Sequence, residues 1–135
     1  MVKTKPVNPK SLGPAIGYAH GTHHESGMLL VAGQVGGDHV GEGKWKLDKG
    51  IAAQFGKAVA NVVAVVREAG GKPEDIAEMT IFIKDMGGYR ASRKEIGASW
   101  RKVMGKHYPA MTLVEVSDLF EDGALVEIKA VAFLR

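Results

Sequence analysis

A chain of 135 residues, 45% hydrophobic and 24% charged, has the size and balance of one folded domain with its own core, and we take 1–135 as that single domain. It has no cysteine, which excludes disulfides, thiolate metal sites and a cysteine nucleophile and fits a reducing cytoplasm. Eighteen Lys and Arg against fifteen Asp and Glu leave a net charge of +3, a mild excess that favours anionic ligands without demanding nucleic acid.

The opening "MVKTKPVNPK" is basic but lacks the apolar run of a signal peptide, and no later stretch approaches the ~20 apolar residues needed to cross a bilayer. In "GYAHGTHHESG", His20 and His24 are four apart, a spacing that binds metal when it lies on a helix. Gly17, Gly21 and Gly27 argue against a helix there, so we expect a solvated turn for His23 and His24 and no metal. His20 leads into the next element. A packed, hydrogen-bonded role is the first reading for it, and a titrating base in a pocket the second.

"GMLLVAGQVGG", from Gly27 to Gly37, is a short apolar run bounded by glycines, the pattern of a buried strand. Gly33 and Gln34 end it, where backbone amides and an amide side chain can face a ligand. Neither a Walker spacing nor a dinucleotide fingerprint is present. "GDHVGEGKWKLDKG" reads as a loop or loose hairpin. Ile51, Phe55, Val59, Val62, Val66 and Ala69 then recur at helical steps, with Asp48 as the expected cap and Gly70-Gly71 as the stop.

A second buried strand is expected from Met79 to Ile83. "GGYRASRKEIGASWRKVMGKH" predicts a helix ended by Gly105, with Ile96 and Trp100 on one side and Arg93, Lys94, Arg101 and Lys102 mostly on the other. The aromatic residues lie on the apolar side, which argues against an RNA-binding face. Two strands, Ala110 to Val116 and Ala124 to Leu134, flank the acidic turn "SDLFEDG". This order predicts an α+β two-layer sandwich, a mixed sheet with helices on one face. The other face carries Val, Leu and Ile, so other subunits are expected to cover it. Glu115 and Glu127 sit inside apolar strands, where each is either a functional acid/base or an edge residue facing solvent.

Five ordered blocks, "GMLLVAGQVGGD", "AQFGKAVANVVAVVREAGG", "IAEMTIFIKDMGGY", "YPAMTLVEV" and "GALVEIKAVAF", resemble the RidA family, also called YjgF/YER057c. The resemblance implies a chorismate mutase-like homotrimer with small-molecule clefts between subunits. It also implies hydrolysis of reactive enamines and imines to a carbonyl compound and ammonia, without metal or cofactor. Glu127 matches the glutamate that helps place the attacking water. Gly33 matches the strand-end glycine of the family's "SGQ", with Ala32 replacing its serine, and Tyr18 falls near the pocket tyrosine although "GYAHG" reorders the usual "GPY". The implied substrate-binding set is Tyr18, His20, Ala32, Gly33, Gln34, Met111 and Leu113.

Met111 is the departure, because active deaminases carry arginine there, in "PAR". Arginine clamps a carboxylate with two charge-assisted bonds, and methionine has neither donor nor charge. At ~1.5–3 kcal/mol for hydrogen bonds to a charged group, binding of a small 2-imino acid should weaken by about ten- to a hundredfold or more. Three readings are open: an imine deaminase of altered substrate, a non-catalytic small-molecule or partner-binding trimer, and an endoribonuclease docking RNA on Arg93, Arg101 and Lys102. Lys129, on the same strand face as Glu127, is a candidate replacement cation.

Overall fold

The computed structural model describes residues 3–135. Its strands are β1 (Thr4–Val7), β2 (Gly21–His24), β3 (Met28–Val35), β4 (Gly37–Gly41), β5 (Lys44–Leu47), β6 (Ile76–Ile83), β7 (Ala110–Glu115) and β8 (Val126–Phe133). Helix α1 (Ile51–Glu68) connects β5 to β6, and α2 (Met86–Ala91) and α3 (Arg93–Met104) connect β6 to β7. Six strands form one sheet in the order β1-β2-β3-β8-β6-β7, antiparallel throughout except for the parallel β6–β7 pair. The sheet is mixed, as expected. A second, two-stranded sheet is the β4–β5 hairpin.

Alternation along the central strands decides which face is covered. Met79, Ile81 and Ile83 of β6 are buried, and they register with Ala130, Ile128 and Val126 of β8, also buried. Val59, Val62 and Val66 of α1 are fully buried against this layer, and α1 packs on both β3 and β8 with α3 alongside. At ~1.5–3 kcal/mol per fully buried aliphatic side chain, this layer is the main source of stability. The residues between them point the other way. Leu30, Val114 and Phe133 are 48%, 38% and 52% exposed on that opposite face, the apolar surface that the alternation predicts.

The "GYAHGTHHESG" segment differs from expectation. His23 and His24 lie on β2, paired with Lys5 and Thr4 of the edge strand β1, and neither strand is evident from the sequence. Strands this short carry too few apolar residues to show a period. The hairpin alternative holds for β4–β5, whose tip places Glu42 at φ 54° and Gly43 at φ 70°, the paired positive φ of a tight two-residue turn. Asp48 does not cap α1. The N-cap is Gly50 at φ 85°, and Asp48 instead uses its backbone, donating to the Gly36 carbonyl and accepting from Gln54 Nε2. The second predicted helix is two helices broken at Ser92, with Asp85 capping the first by accepting from Gly88 N at 2.8 Å. Glu115 has a similar duty: at the exposed end of β7 it accepts from Met86 N at 3.1 Å.

Candidate active site

Strand β3 does not run evenly against β8. Val31 registers with Ala130 and Gln34 with Ile128, so Ala32 and Gly33 together oppose the single residue Lys129. This bulge adds one residue and reverses the alternation from that point on, turning Gln34 inward toward the helices. Gln34 is 2% exposed and His20 is 1% exposed. His20 Nε2 lies 3.2 Å from the Gly13 carbonyl oxygen, and its Nδ1 lies 3.3 Å from Gln34 Nε2. A carbonyl only accepts and an amide nitrogen only donates, so the neutral Nε2–H tautomer satisfies both contacts. Gln34 Nε2 also donates to the Ala32 carbonyl at 3.3 Å, and Ala32 N donates to the His20 carbonyl at 2.8 Å. Burial holds the His20 pKa below its ordinary value, which keeps the ring neutral.

On the other side of the bulge the requirement is space. A Cβ on Gly33 would lie 2.3 Å from Glu127 Oε2 and 2.8 Å from its Cδ, so only glycine lets the carboxylate occupy that place. Glu127 registers with Val35 on β3 and Phe82 on β6, on the sheet face away from the helices. Burial first, and the nearby Glu121 carboxylate second, raise its pKa. The Tyr18 hydroxyl is likewise raised by burial and then by Glu121 and Glu127, and stays protonated as a donor. Its ring stands edge-on to His20 at 5.4 Å.

Tyr18, His20, Gly33, Gln34 and Glu127 converge on one cleft of about 170 Å³. Its remaining walls, Val35, Trp45, Phe120 and Glu121, are not among the residues that the sequence singles out. Trp45 and Glu121 come from a hairpin and a loop with no motif, and only the acidic run in "SDLFEDG" hints at the second. Two buried amides on α1 fix these walls. Gln54 donates to the Gly123 carbonyl at 3.1 Å and accepts from Leu125 N at 2.7 Å, anchoring the loop that carries Phe120 and Glu121. Asn61 donates to the Val35 and Gly37 carbonyls at 3.0 Å each, holding the turn into β4.

Ala32 lies outside this cleft, in an adjoining groove that Gly33 and Lys129 also line. Met111 and Leu113 lie further off, on the outer strand β7. They register with Met79 and Ile81, which face the helices, whereas Glu127 faces away from them. A single chain therefore does not bring Met111 to Glu127. A larger groove of about 400 Å³ among Lys3, Lys5, His23, Leu134 and Arg135 sits at the far edge of the sheet, where it gathers none of these residues. Among the described residues, no three His, Asp or Glu side chains are placed to hold a metal ion, and no helix is long and apolar enough to cross a membrane.

Residues 8–134 match the sequence profile of the family described as Endoribonuclease L-PSP. The chain belongs to that family, which is the RidA or YjgF family. Its relatives include a protein of Escherichia coli K12 named 2-iminobutanoate/2-iminopropanoate deaminase, 30% identical over 130 residues that cover 94% of this chain and 92% of the relative. A RutC family protein of Pyrococcus horikoshii is 33% identical over 127 residues, covering 93% and 90%. The crystal structure of the YjgF gene product of Escherichia coli superposes with a TM-score of 0.82 at 29% identity, covering 97% of this chain and 99% of that one. TdcF of Escherichia coli, solved with serine bound, gives 0.80 at 26% identity over 97% and 99%. The RidA fold thus accounts for the α+β architecture, and the cleft beside Gly33 is where this chain gathers the polar side chains that the resemblance implies.

Proposed function

We propose that this RidA-family chain hydrolyses imines, with Glu127 as the acid/base, in a cleft completed by a neighbouring subunit of a homotrimer. The observation that carries the reading is the Glu127 carboxylate lodged over Gly33, in a cleft where burial and Glu121 raise its affinity for a proton. A carboxylate with a raised pKa is better matched to moving protons near neutral pH than an ordinary one. Water attacks the imine carbon as Glu127 takes its proton. The proton then passes to nitrogen, and the carbinolamine collapses to a carbonyl compound and ammonia. The deaminase name of the 30% identical relative supports this chemistry. Subunit assembly is supported by the exposed apolar face at Leu30, Val114 and Phe133, and by the separation of Met111 and Leu113 from Glu127 within one chain.

The test is ammonia release from imines generated in place by an amino-acid oxidase, with sedimentation to count subunits. Wild type should exceed buffer, and Glu127→Ala should fall to it. A broad imine panel with no Glu127-dependent rate overturns the proposal. Met111→Arg should raise the rate on 2-imino acids by about ten- to a hundredfold.

A second reading, a ligand-binding trimer without turnover, draws on Met111 itself, a side chain 43% exposed with no donor to offer a substrate carboxylate. It predicts ligand-dependent thermal stabilisation with no product. Turnover of the same ligand decides against it.

A further inference from the structure

The cleft beside Gly33 has the wrong charge for an anionic substrate. Two carboxylates, Glu121 and Glu127, line the part of it that one chain builds, and no Lys or Arg of that chain does. His20, its one basic side chain, is 1% exposed and has both ring nitrogens engaged by Gly13 and Gln34, so it offers no positive charge. The two ion pairs among the described residues, Lys57–Asp38 and Lys84–Asp118, involve neither cleft carboxylate. Lys129, opposite the bulge, lines the adjoining groove and not this cleft. A 2-imino acid placed here would set its carboxylate against two others.

Aromatic side chains make up much of the remaining wall. Tyr18, Trp45 and Phe120 supply three rings to a space of about 170 Å³. Phe120 is 94% exposed and Tyr18 is 52% exposed, although the loop that carries Phe120 is held at Gly123 and Leu125 by Gln54 and the Tyr18 ring stands edge-on to buried His20. Ring faces carry negative electrostatic potential and attract ammonium and iminium groups, tryptophan most strongly. Carboxylates attract the same groups. Rings and acids together form a receptor for an organic cation, and large aromatic rings left open to water gain by covering one.

We infer that this cleft selects a cation, the protonated imine of a carbonyl compound that bears no carboxylate, held between Glu121 and the rings of Trp45, Tyr18 and Phe120. The inference rests on the reading of the cleft as an imine-hydrolysing site and names its substrate class. The chemistry closes without a co-reactant. Water oxygen bonds to the iminium carbon, the π pair of the carbon–nitrogen double bond moves to nitrogen, and Glu127 takes a water proton, giving a neutral carbinolamine. Glu127 returns that proton to nitrogen. The carbon–nitrogen bond then breaks with its pair leaving on ammonia, while the hydroxyl proton passes through Glu127 to that ammonia. The products are an aldehyde or ketone and ammonium, and the single positive charge is conserved. Absence of an arginine clamp at Met111 is consistent with such a substrate, which has no carboxylate to clamp.

The experiment uses the full chain and three stable probes of one shape: benzylammonium, benzyl alcohol and benzoate. Calorimetry should show benzylammonium binding at least about tenfold tighter than either of the others. Glu121→Gln and Trp45→Leu should each weaken it by roughly tenfold, with circular dichroism confirming that both variants stay folded. Benzoate binding as tightly, benzylammonium failing to bind at millimolar concentration, or an unchanged affinity in Glu121→Gln would each overturn the inference. Turnover separates this from the broader proposal. The imine released from benzylamine by an amine oxidase should be hydrolysed faster than the 2-imino acid released from leucine by an amino-acid oxidase. A faster, Glu127-dependent rate on the 2-imino acid overturns the inference and leaves imine hydrolysis standing. Selective binding of benzylammonium with no turnover of either imine supports the cation site and removes the hydrolase.

Discussion

Two polar groups flank Gly33, and their surroundings are opposite. On one side, His20 and Gln34 are buried and hydrogen-bonded to Gly13, to Ala32 and to each other. On the other, Glu127 shares a cleft with a second carboxylate and has a raised pKa. Buried polar groups with every partner in place fix a structure, whereas a carboxylate kept beside another acid is retained at a cost to stability. On the function proposed above, the first group serves the architecture and the second the chemistry.

The largest effect should come from His20→Ala. It empties a buried site, leaves the Gly13 carbonyl without its donor and leaves Gln34 Nε2 with only the Ala32 carbonyl, for a loss of about 2–4 kcal/mol in denaturant unfolding. A variant as stable as wild type would place His20 with Glu127 rather than apart from it. Gly33→Ala comes next, at about 1 kcal/mol, because the new methyl group displaces only the mobile end of the Glu127 side chain. Its loss of imine turnover, on the order of a hundredfold, should outrun its loss of stability.

Glu127→Gln should move stability the other way. The folded chain holds the Glu127 proton more tightly than the unfolded chain does, so the stability tied to that proton is full at acid pH. It is lost as pH rises through the elevated folded-state value. Glutamine does not titrate, so the variant should melt about one or two degrees above wild type at neutral pH, with the gap closing toward pH 3. A constant gap across that range would mean that Glu127 is not held above its ordinary value. Glu115→Ala should have the smallest effect, below about 1 kcal/mol, since it removes only an exposed acceptor at the start of α2.

Legibility in the sequence depends on the strength of each local signal. Helix α1 shows itself through Phe55, Val59, Val62 and Val66, because a helix packed on a sheet repeats its apolar face at every turn. Strands β3, β6 and β8 are visible as apolar runs, and Gly33, Gln34 and Glu127 are legible at their ends. Strands β1 and β2 are not, since four residues containing glycine, threonine and two histidines show no period of their own. The bulge at Ala32-Gly33 is also hidden, as it exists only in pairing with β8. Trp45 reaches the cleft from β5 and Phe120 and Glu121 from a loop, segments whose approach depends on Gln54 and Asn61, contacts that span as many as 71 positions in the chain. Local pattern carries no trace of such distances.

The Gln54 bridge has an evolutionary corollary. It grips the backbone of the loop at Gly123 and Leu125 and asks nothing of the side chains at 118–122. Substitutions at Phe120, Glu121 and Asp122 thus leave that anchor, and the strand that follows it, in place. A lineage carrying this anchor can exchange one preferred ligand for another by changing a handful of surface positions, leaving its interior as inherited.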